Sequence, residues 1–301
     1  MPYNRFSAYL KEKYKGQVRK ICIDGGFSCP NRDGRCGEGG CIFCGERGAG
    51  EHIDSTLSIR EQVGAGLVRL KPGQRAIAYF QNFTNTYASV EVLRERYDAA
   101  LIDPRIVALA IGTRPDCISE EIVELLLEYK KRVDVWVELG LQTASDRTAI
   151  KINRGYPTAR FIEAANLLSS RGIPVVAHMI IGLPDEERTD IDYTVDILNS
   201  VPIWGVKIHS LYVMRGTRLC QMYESGDFRV ISEHEYIELA ARTVARLRPD
   251  IVIHRLTGDC PEGMLVAPNW SLTKSEIIDG IVKKLDSEGL RQGSLYLHKG
   301  V

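Results

Sequence analysis

The sequence lacks three features that would assign it to a broad class at once: a net charge, a long apolar run and an apolar leader. Its 301 residues carry 39 lysines and arginines against 39 aspartates and glutamates, so no global field attracts nucleic acid or a membrane. No run approaches the roughly 18 apolar residues that a spanning helix needs. The first residues, Met1 to Phe6, lack the apolar core of a signal peptide, and we therefore expect a cytoplasmic protein without a membrane partner.

Internal repeats, low-complexity tracts and a clear linker are also missing, which favours one catalytic domain with a C-terminal extension. With 44% hydrophobic and 26% charged residues, the composition is typical of a globular protein with a sizeable core. We predict an N-terminal basic segment over residues 1–17, a barrel over 18–250 and an extension over 251–301 that packs on the barrel. The first 20 residues hold six basic side chains against Glu12 alone, which indicates either a solvated helix face or an arm that contacts phosphates.

Short apolar strands alternate with amphipathic helices six times before residue 250, a pattern typical of βαβ units and a parallel sheet. The predicted strands of the barrel are Val18–Asp24, Ala76–Phe80, Val107–Ile111, Val133–Leu139, Val175–Ile181 and Gly205–Val213, and a further strand is predicted at Ile251–Arg255 in the extension. In such folds the loops after the strands' carboxyl ends build the active site. Polar segments follow five of these strands: Asp24 to Cys44, Gln81 to Thr86, Gly112 to Asp116, Glu138 with Gln142, and His178 to Pro184. The pattern predicts an enzyme.

Four of the eight cysteines lie in one glycine-rich loop after the first strand, which we call the cysteine loop (residues 24–44). The Cys-x-x-Cys clustering in a chain expected to be cytoplasmic indicates metal rather than disulfides. Cys36, Cys41 and Cys44 have ferredoxin-like spacing, and all four thiols with Cys29 could close a zinc tetrahedron. Cys29 with only Cys41 and Cys44 would leave one iron of a [4Fe–4S] cluster without a protein ligand.

The cysteine loop resembles that of the radical SAM superfamily, and more narrowly a bacterial subfamily related to the catalytic domain of the elongator tRNA-modifying subunit. The resemblance rests on Asp24-Gly-Gly-Phe-Ser-Cys-Pro-Asn-Arg-Asp-Gly34 and Gly39-Gly-Cys-Ile-Phe-Cys44, whose Cys-x11-Cys-x2-Cys spacing is that of the subfamily. Further matches run through nearly the whole chain, namely Tyr3–Ser7, Tyr79–Gln81, Thr84–Tyr87, Gly112–Asp116, Glu138–Thr143, Asn153–Tyr156 and His254–Asp259.

The resemblance implies an α/β fold, a partial (β/α)6 TIM-like barrel with parallel strands and a C-terminal extension. It also implies a [4Fe–4S] cluster on Cys29, Cys41 and Cys44, whose remaining iron binds S-adenosylmethionine (SAM) so that a 5′-deoxyadenosyl radical can form. A fourth ligand would block that iron, so Cys36 becomes an extra thiol. An electron donor such as flavodoxin or ferredoxin is implied as well.

The resemblance further implies SAM-binding roles for eight residues: Phe43, Gln81, Thr84, Glu138, Gln142, Arg154, His178 and Tyr212. Phe43 and the backbone at Tyr212 correspond to contacts with adenine, and His178 to a residue beside the adenosine. Glu138, with Gln142 next to it, matches a residue that binds the ribose, and Arg154 matches one that pairs with the methionine carboxylate. Gln81 and Thr84 stand where relatives have a Gly-Gly-Glu that binds the methionine amino group, and are the candidates for that role.

The resemblance suggests tRNA as the substrate, with conversion of a 5-carboxymethylaminomethyl to a 5-aminomethyl side chain on the wobble uridine. Basic residues that could contact RNA phosphates are the N-terminal set, Arg242, Arg246, Arg248, Lys283 and Lys284. One alternative is a radical SAM enzyme that acts on a small metabolite or a protein. Another, of a different class, is a zinc-stabilised RNA-binding module without catalysis.

Overall fold

The computed structural model describes residues 1–48 and 53–297. Its main feature is a sheet of seven parallel strands, in chain order, that curls into a half-barrel. These strands are β1 (Val18–Ile23), β2 (Arg75–Phe80), β3 (Ile106–Thr113), β4 (Asp134–Gln142), β5 (Val175–Ile181), β6 (Gly205–Ser210) and β8 (Val252–Arg255). Two short strands, β7 (Val213–Met214) and β9 (Leu265–Ala267), form a separate antiparallel pair. The predicted α/β half-barrel is confirmed, and the strand predicted in the C-terminal extension joins the six barrel strands as the seventh.

Helices follow most strands, and side-chain caps fix where many of them begin. They are α1 (Phe6–Tyr14), α2 (Ile59–Val68), α3 (Val90–Ala100), α4 (Glu120–Lys130), α5 (Asp146–Lys151), α6 (Thr158–Ser170), α7 (Arg188–Ser200), α8 (Arg218–Glu224), α9 (Glu233–Arg246) and α10 (Lys274–Ser287), with a 3₁₀ turn at Pro115–Cys117. Ser58, Ser232 and Thr273 each complete a capping box with a glutamate three residues on. Each such cap stabilises its helix by about 1 kcal/mol. Among the described helices, none combines the length and the apolar character needed to cross a bilayer.

The N-terminal basic segment folds into α1, which covers the concave face of the half-barrel where the strands begin. Phe6, Leu10 and Tyr14 pack there against inward-facing strand residues, among them Trp136. Burial of each large apolar side chain contributes roughly 1.5–3 kcal/mol. The Tyr14 hydroxyl donates to the Asp134 carboxylate at 2.5 Å and so ties α1 to the start of β4. The helix therefore has one buried apolar face, and its basic side chains lie on the others.

The two ends of the described chain meet beside β8. The backbone N–H of Ile253 donates to the carbonyl of Asn4 at 2.8 Å, and the Asn4 N–H donates to Gln292 Oε1 at 2.8 Å. Gln292 Nε2 donates in turn to the Ile251 carbonyl, also at 2.8 Å. The segments before residue 18 and after residue 250 are thus bonded to each other, and β8 in the second of them completes the sheet.

Two differences from the predicted elements lie near the carboxyl ends of the strands. The predicted strand Gly205–Val213 ends at Ser210, and Val213 pairs with Ala267 instead, because the chain leaves the sheet at that point. The short helices α5 and α8 were not predicted, since six and seven residues are too few to show a helical period. Ser145 and Thr217 cap them. The loops around them surround the mouth of the half-barrel.

Candidate active site

The cysteine loop is anchored at its base by the carboxylate of Asp24, directly after β1. Asn82 Nδ2 donates to Asp24 Oδ2 at 2.7 Å, and the Gly26 N–H donates to Oδ1 at 2.9 Å. The Gln62 side chain of α2 bonds both to the N–H and to the carbonyl of Asp24. Because these groups are buried, their hydrogen bonds fix the direction in which the loop leaves the sheet.

The middle of the loop is held by a buried asparagine that reaches the segment after α5. Asn31 Nδ2 donates to the carbonyl of Asn153 at 2.6 Å, and the Gly40 N–H donates to the Asn31 carbonyl at 2.8 Å. Asn153 Nδ2 donates back to the Gly40 carbonyl at 2.7 Å. Gly40 has φ +74°, and a Cβ there would lie 2.9 Å from the Arg32 side chain, so only glycine fits. The loop is therefore a fixed structure and not a free connection.

Cys29, Cys41 and Cys44 are all partly buried in this loop, and Cys41 and Cys44 contact each other. A hydrogen bond from Cys44 lowers the pKa of Cys41, and the same contact, together with burial and the nearby Cys29, raises that of Cys44. The positive charges of Arg114 and Arg154 near Cys41 also favour its thiolate form. An all-sulfur donor set in cationic surroundings fits an iron–sulfur cluster. Within residues 1–48 and 53–297, no three Cys, His, Asp or Glu side chains already form a site for a single metal ion.

Cys36 occupies a different position in the loop. It is exposed and lines a groove of about 490 Å³ that also contains Tyr87, Asp116 and Cys117. Burial next to Asp116 raises the pKa of the Cys117 thiol to about 12, so this neighbour stays protonated at neutral pH. Cys36 therefore differs from the three partly buried thiols in its exposure, although its N–H donates to the Pro30 carbonyl, next to Cys29, at 2.8 Å.

Glu138 lies at the centre of a buried polar group that we call the floor network: Tyr79, Trp136, Glu138, His178 and Lys207. The Glu138 side chain has no exposed surface, and its Oε2 binds both Lys207 Nζ and, at 2.9 Å, His178 Nε2. Trp136 Nε1 donates to the other oxygen at 3.3 Å, and Lys207 donates to the Tyr79 hydroxyl at 2.9 Å. These side chains come from β2, β4, β5 and β6, so the network joins four strands across the concave face.

The electrostatics of the floor network keep Glu138 charged and His178 neutral. Burial alone would raise the pKa of Glu138, but Lys207, Lys20 and His178 hold it well below its usual value. Burial and the Lys207 charge lower the pKa of His178 to about 4, although Glu138 opposes that shift. Burial also lowers the pKa of Lys207. Lys207 was not among the residues predicted from the sequence. It could have been found because a lysine is unusual within an apolar strand such as β6.

Arg154 is fully buried, and its guanidinium donates all five of its N–H groups to the protein. Nε donates to the Tyr156 carbonyl, Nη1 to the carbonyls of Leu141 and Thr143, and Nη2 to the side chains of Asp146 and Thr158. In this arrangement no donor is left over for a ligand carboxylate. The role of Arg154 toward SAM stays a prediction. In the structure its hydrogen bonds hold the chain after β4 in place.

The other predicted SAM-binding residues surround the mouth. Phe43 packs in an apolar cluster with Leu211 and Val213, next to Tyr212. Burial and the nearby Cys44 and Cys260 raise the pKa of Tyr212 to about 12, which places its ring near the cysteine loop. Gln142 follows an irregularity in the pairing of β4 and has φ +65°, an uncommon backbone state that costs about 1–3 kcal/mol and concentrates at functional sites.

Several buried polar atoms at the mouth have no hydrogen-bond partner. Asn82 Oδ1 and Thr84 Oγ1, in the loop after β2, are two of them, and Asn85 Oδ1 is a third. On β6, His209 Nε2 is also without one, and its ring centroid is 5.4 Å from that of His178. Buried polar groups are normally satisfied, so such atoms indicate the place of a bound ligand.

Glu186, in the loop after β5, is expected to make stability depend on pH. Burial raises the pKa of this carboxyl to about 8 from an ordinary 4.5, so the folded protein keeps a proton that the unfolded chain releases. Stability should therefore be full below about pH 4.5 for this group and fall as the pH rises to about 8, with about 2.5 kcal/mol of the loss between pH 6 and pH 9. Urea unfolding at pH 6 and pH 9 measures the effect, and Glu186→Gln should remove it. The exposed Glu163→Gln is the control, and an equal pH dependence in Glu186→Gln would contradict the assignment.

Comparison with known proteins connects this site to a family. The chain matches the Radical SAM superfamily over residues 32–198 and the Radical_SAM C-terminal domain over residues 203–287. The uncharacterized protein YtqA of Bacillus subtilis is 37% identical over 298 residues, which is 98% of this chain and 92% of that protein. A tRNA uridine(34) acetyltransferase of Methanocaldococcus infernus is 28% identical over 216 residues, which is 65% of this chain and 38% of that enzyme.

The fold comparison agrees with the sequence comparison. The archaeal Elp3 of Methanocaldococcus infernus, solved with an N-terminal deletion, superposes with a TM-score of 0.71 at 21% identity, over 95% of this chain and 68% of that one. The expected relation to the elongator catalytic subunit is thereby confirmed at the level of its radical SAM domain. On the evidence of the matched families, the full-length relative and the half-barrel, the chain belongs to the radical SAM superfamily and is a radical SAM enzyme.

Proposed function

We propose that this enzyme binds a [4Fe–4S] cluster through Cys29, Cys41 and Cys44 and modifies the wobble uridine of tRNA. The modification is the conversion of a 5-carboxymethylaminomethyl side chain at C5 to 5-aminomethyl. The observation that supports the cluster assignment is the contact between Cys41 and Cys44, together with the partial burial of both and of nearby Cys29, in contrast to the exposed Cys36. The similarity to a tRNA uridine(34) acetyltransferase supports the substrate.

When bound, the cluster and SAM supply the electron and the 5′-deoxyadenosyl radical that abstracts hydrogen from the substrate, and flavodoxin or ferredoxin is the proposed electron donor. The residues of this chain provide ligands, orientation and a dry cavity. Arg32 donates to the carbonyls of Cys44 and Gly45, which fixes the backbone of two adjacent positions. Asn31 Nδ2 lies 3.9 Å from Cys41 Sγ and directs that thiol from the other side.

The SAM contacts we propose follow the mouth of the half-barrel from β2 to β6. The unpartnered Thr84 Oγ1 and the neighbouring Gln81 side chain would receive the methionine ammonium, with Asn82 Oδ1 as a further acceptor. Phe43 and the backbone at Tyr212 would flank the adenine, since both lie in or next to the apolar cluster beside the cysteine loop. These assignments take account of the missing Gly-Gly-Glu.

The ribose and adenosine contacts that we propose lie on the other side of the mouth. Gln142 is the candidate for the ribose hydroxyls, because both oxygens of Glu138 are already engaged within the floor network. Glu138 would then support that contact from below. His178 remains the candidate residue beside the adenosine, as a neutral ring whose second nitrogen is not used by Glu138.

Nucleoside analysis of tRNA tests the substrate. In a strain that lacks this protein, we expect 5-aminomethyluridine and its derivatives to disappear and 5-carboxymethylaminomethyluridine to accumulate, because the conversion has no catalyst. Mass spectrometry of digested total tRNA measures both. A plasmid copy of the wild type should restore the pattern, and a Cys41→Ala copy, the matched control, should not.

Two other results would point to the alternatives. Unchanged wobble nucleosides, with SAM cleavage by the purified protein intact, would favour a small metabolite or a protein as the substrate. A protein that binds one zinc ion, and takes up neither iron nor sulfide on anaerobic reconstitution, would favour a structural site without catalysis.

A further inference from the structure

A cavity of about 560 Å³ lies between α1, β1 and β8, where the two outer strands of the half-barrel leave the sheet open. We call it the seam cavity. Five of its lining residues are basic, and its lining contains no aspartate or glutamate: the basic residues are Arg5, Lys11, Arg19, Lys20 and Arg255. Because the chain as a whole is neutral, this local excess of positive charge is a property of the site.

None of these five cations has a carboxylate partner within the described parts of the chain. The basic residues of the C-terminal half that could have contacted phosphates differ in this respect. Arg242 and Arg246 pair with Asp192, and Lys284 pairs with Glu238 of α9 and with Glu288 just after α10, whereas Lys283 is exposed and has no ion pair with any described residue. Paired cations have little charge left for a ligand, so the seam cavity, where five basic residues with no described carboxylate partner lie together, is the stronger candidate for an anion.

The depth of the cavity adds a second argument. Lys11 and Arg19 are exposed at its mouth, whereas Lys20 and Arg255 are only partly exposed and reach toward the concave face. Burial, with the Arg255 charge as a further cause, lowers the pKa of Lys20, and Lys20 in turn lowers that of Lys207 in the floor network. The line of cations therefore leads from solvent to the interior of the half-barrel, and an anion bound along it would relieve their repulsion.

Aromatic side chains lie among the cations. Arg5 is placed over the Tyr3 ring at 4.9 Å, and Lys20 lies 5.1 Å from the centres of both the Phe6 and the Tyr79 rings. Tyr3 and Phe6 line the cavity. Cationic grooves with aromatic side chains are typical of surfaces that bind single-stranded RNA, where phosphates meet the charges and bases stack on the rings.

We propose that the seam cavity binds the phosphodiester backbone of a single-stranded segment of the RNA substrate, next to the base that enters the half-barrel. This inference rests on the proposed tRNA function and names the surface through which the enzyme holds that substrate. An extended anionic strand suits the site better than a single small anion, because the cations run from the mouth to the interior.

The test compares RNA binding by the reconstituted holoenzyme and by a Lys11→Ala/Arg19→Ala variant. Both side chains are exposed, so the fold should be retained. Fluorescence anisotropy with a labelled tRNA, from 50 to 300 mM KCl, should show an affinity loss of about tenfold at low salt. The slope of log K against log[KCl] should become shallower by about 1.4, since each phosphate contact on a single strand contributes about 0.7.

The matched control is Arg94→Ala/Arg132→Ala, which removes two exposed arginines that pair with Glu128 and Asp98. We expect this control to bind RNA as the wild type does. An equal affinity and an equal salt slope for the seam variant would overturn the proposal. Normal RNA binding combined with slower reduction by flavodoxin would also overturn it, in favour of an acidic protein partner. Inorganic phosphate at millimolar concentration should compete only weakly, and competition as strong as that of RNA would indicate a small-anion site.

The two proposals can fail separately. If the seam variant loses RNA affinity but wobble nucleosides are unchanged in the deletion strain, the seam cavity binds RNA and the proposed modification is wrong. If the nucleosides change as expected but the seam variant binds tRNA normally, the modification stands and the seam cavity is not its RNA site.

Discussion

Replacement of Cys29, Cys41 or Cys44 by alanine is expected to abolish both the bound iron and the cleavage of SAM, with activity reduced at least about a thousandfold. Replacement of Cys36 is expected to leave both within about twofold. The reason is geometric: Cys41 and Cys44 contact each other beside Asn31 and Arg32, Cys29 is partly buried near Cys44, and Cys36 is exposed and lines a groove. A cluster that loses one of three protein ligands is no longer held, whereas the loss of an uninvolved thiol changes only the surface.

The measurement is iron and sulfide per chain after anaerobic reconstitution, followed by 5′-deoxyadenosine formation with dithionite as the reductant. Circular dichroism separates loss of the cluster from loss of the fold. Cys220→Ala is a second control, because this buried thiol contacts Glu224 within α8. An equal loss of iron in Cys36→Ala and in Cys29→Ala would establish a set of four ligands, and retention of the cluster in Cys29→Ala would establish the ferredoxin-like set.

The features that could be predicted from the sequence are those that depend only on local patterns of residues. The apolar strands that end in polar loops predict the sheet and its active edge, because the side-chain period and the turn residues are local properties. The spacing of Cys29, Cys41 and Cys44 is local as well. Each of these features can be recognised without knowing what the segment will pack against.

Features that depend on distant contacts could not be predicted in this way. That α1 enters the concave face follows from the contacts of Phe6 with Trp136 and of Tyr14 with Asp134, about 120 residues later, and no local pattern specifies such partners. The strand predicted at Ile251–Arg255 is present, but its short sequence, polar at His254 and Arg255, does not show that it pairs with β6 and completes the sheet. Lys207 is a third case, since its partner Glu138 lies two strands away.

Arg154 shows how one residue type supports two interpretations. In a short motif an arginine resembles a ligand for a carboxylate, because its planar donors suit one. A fully buried arginine must satisfy the same donors, and here five protein acceptors do so. The motif is local, but the acceptors for the Arg154 donors are not. They include the carbonyls of Leu141, in β4, and Thr143, in the turn after it.

Loss of the Lys207 charge is expected to destabilise the protein strongly. Lys207→Met removes the cation that contacts the buried Glu138, although its hydrogen bonds with His178 and Trp136 remain, and a broken buried ion pair costs about 3–5 kcal/mol. Glu138→Gln should cost a comparable amount, because it leaves the buried lysine without its anion. The double variant Glu138→Gln/Lys207→Met should cost less than the sum of the two single variants, with a coupling free energy of at least about 2 kcal/mol.

Urea unfolding of the wild type, the two single variants and the double variant gives this double-mutant cycle. An exposed ion pair shows how small the loss should be when the charges are not buried. Lys13 binds Asp134 at 2.6 Å, but both side chains are 38% exposed, so Lys13→Met should cost only about 0–1 kcal/mol. Additive losses at Glu138 and Lys207 would mean that the pair is not coupled. Glu138 would then be free to bind the ribose hydroxyls itself, as its motif implies, and Gln142 would lose that role. Strong coupling would instead assign Glu138 to the support of the four strands on which the SAM site is built.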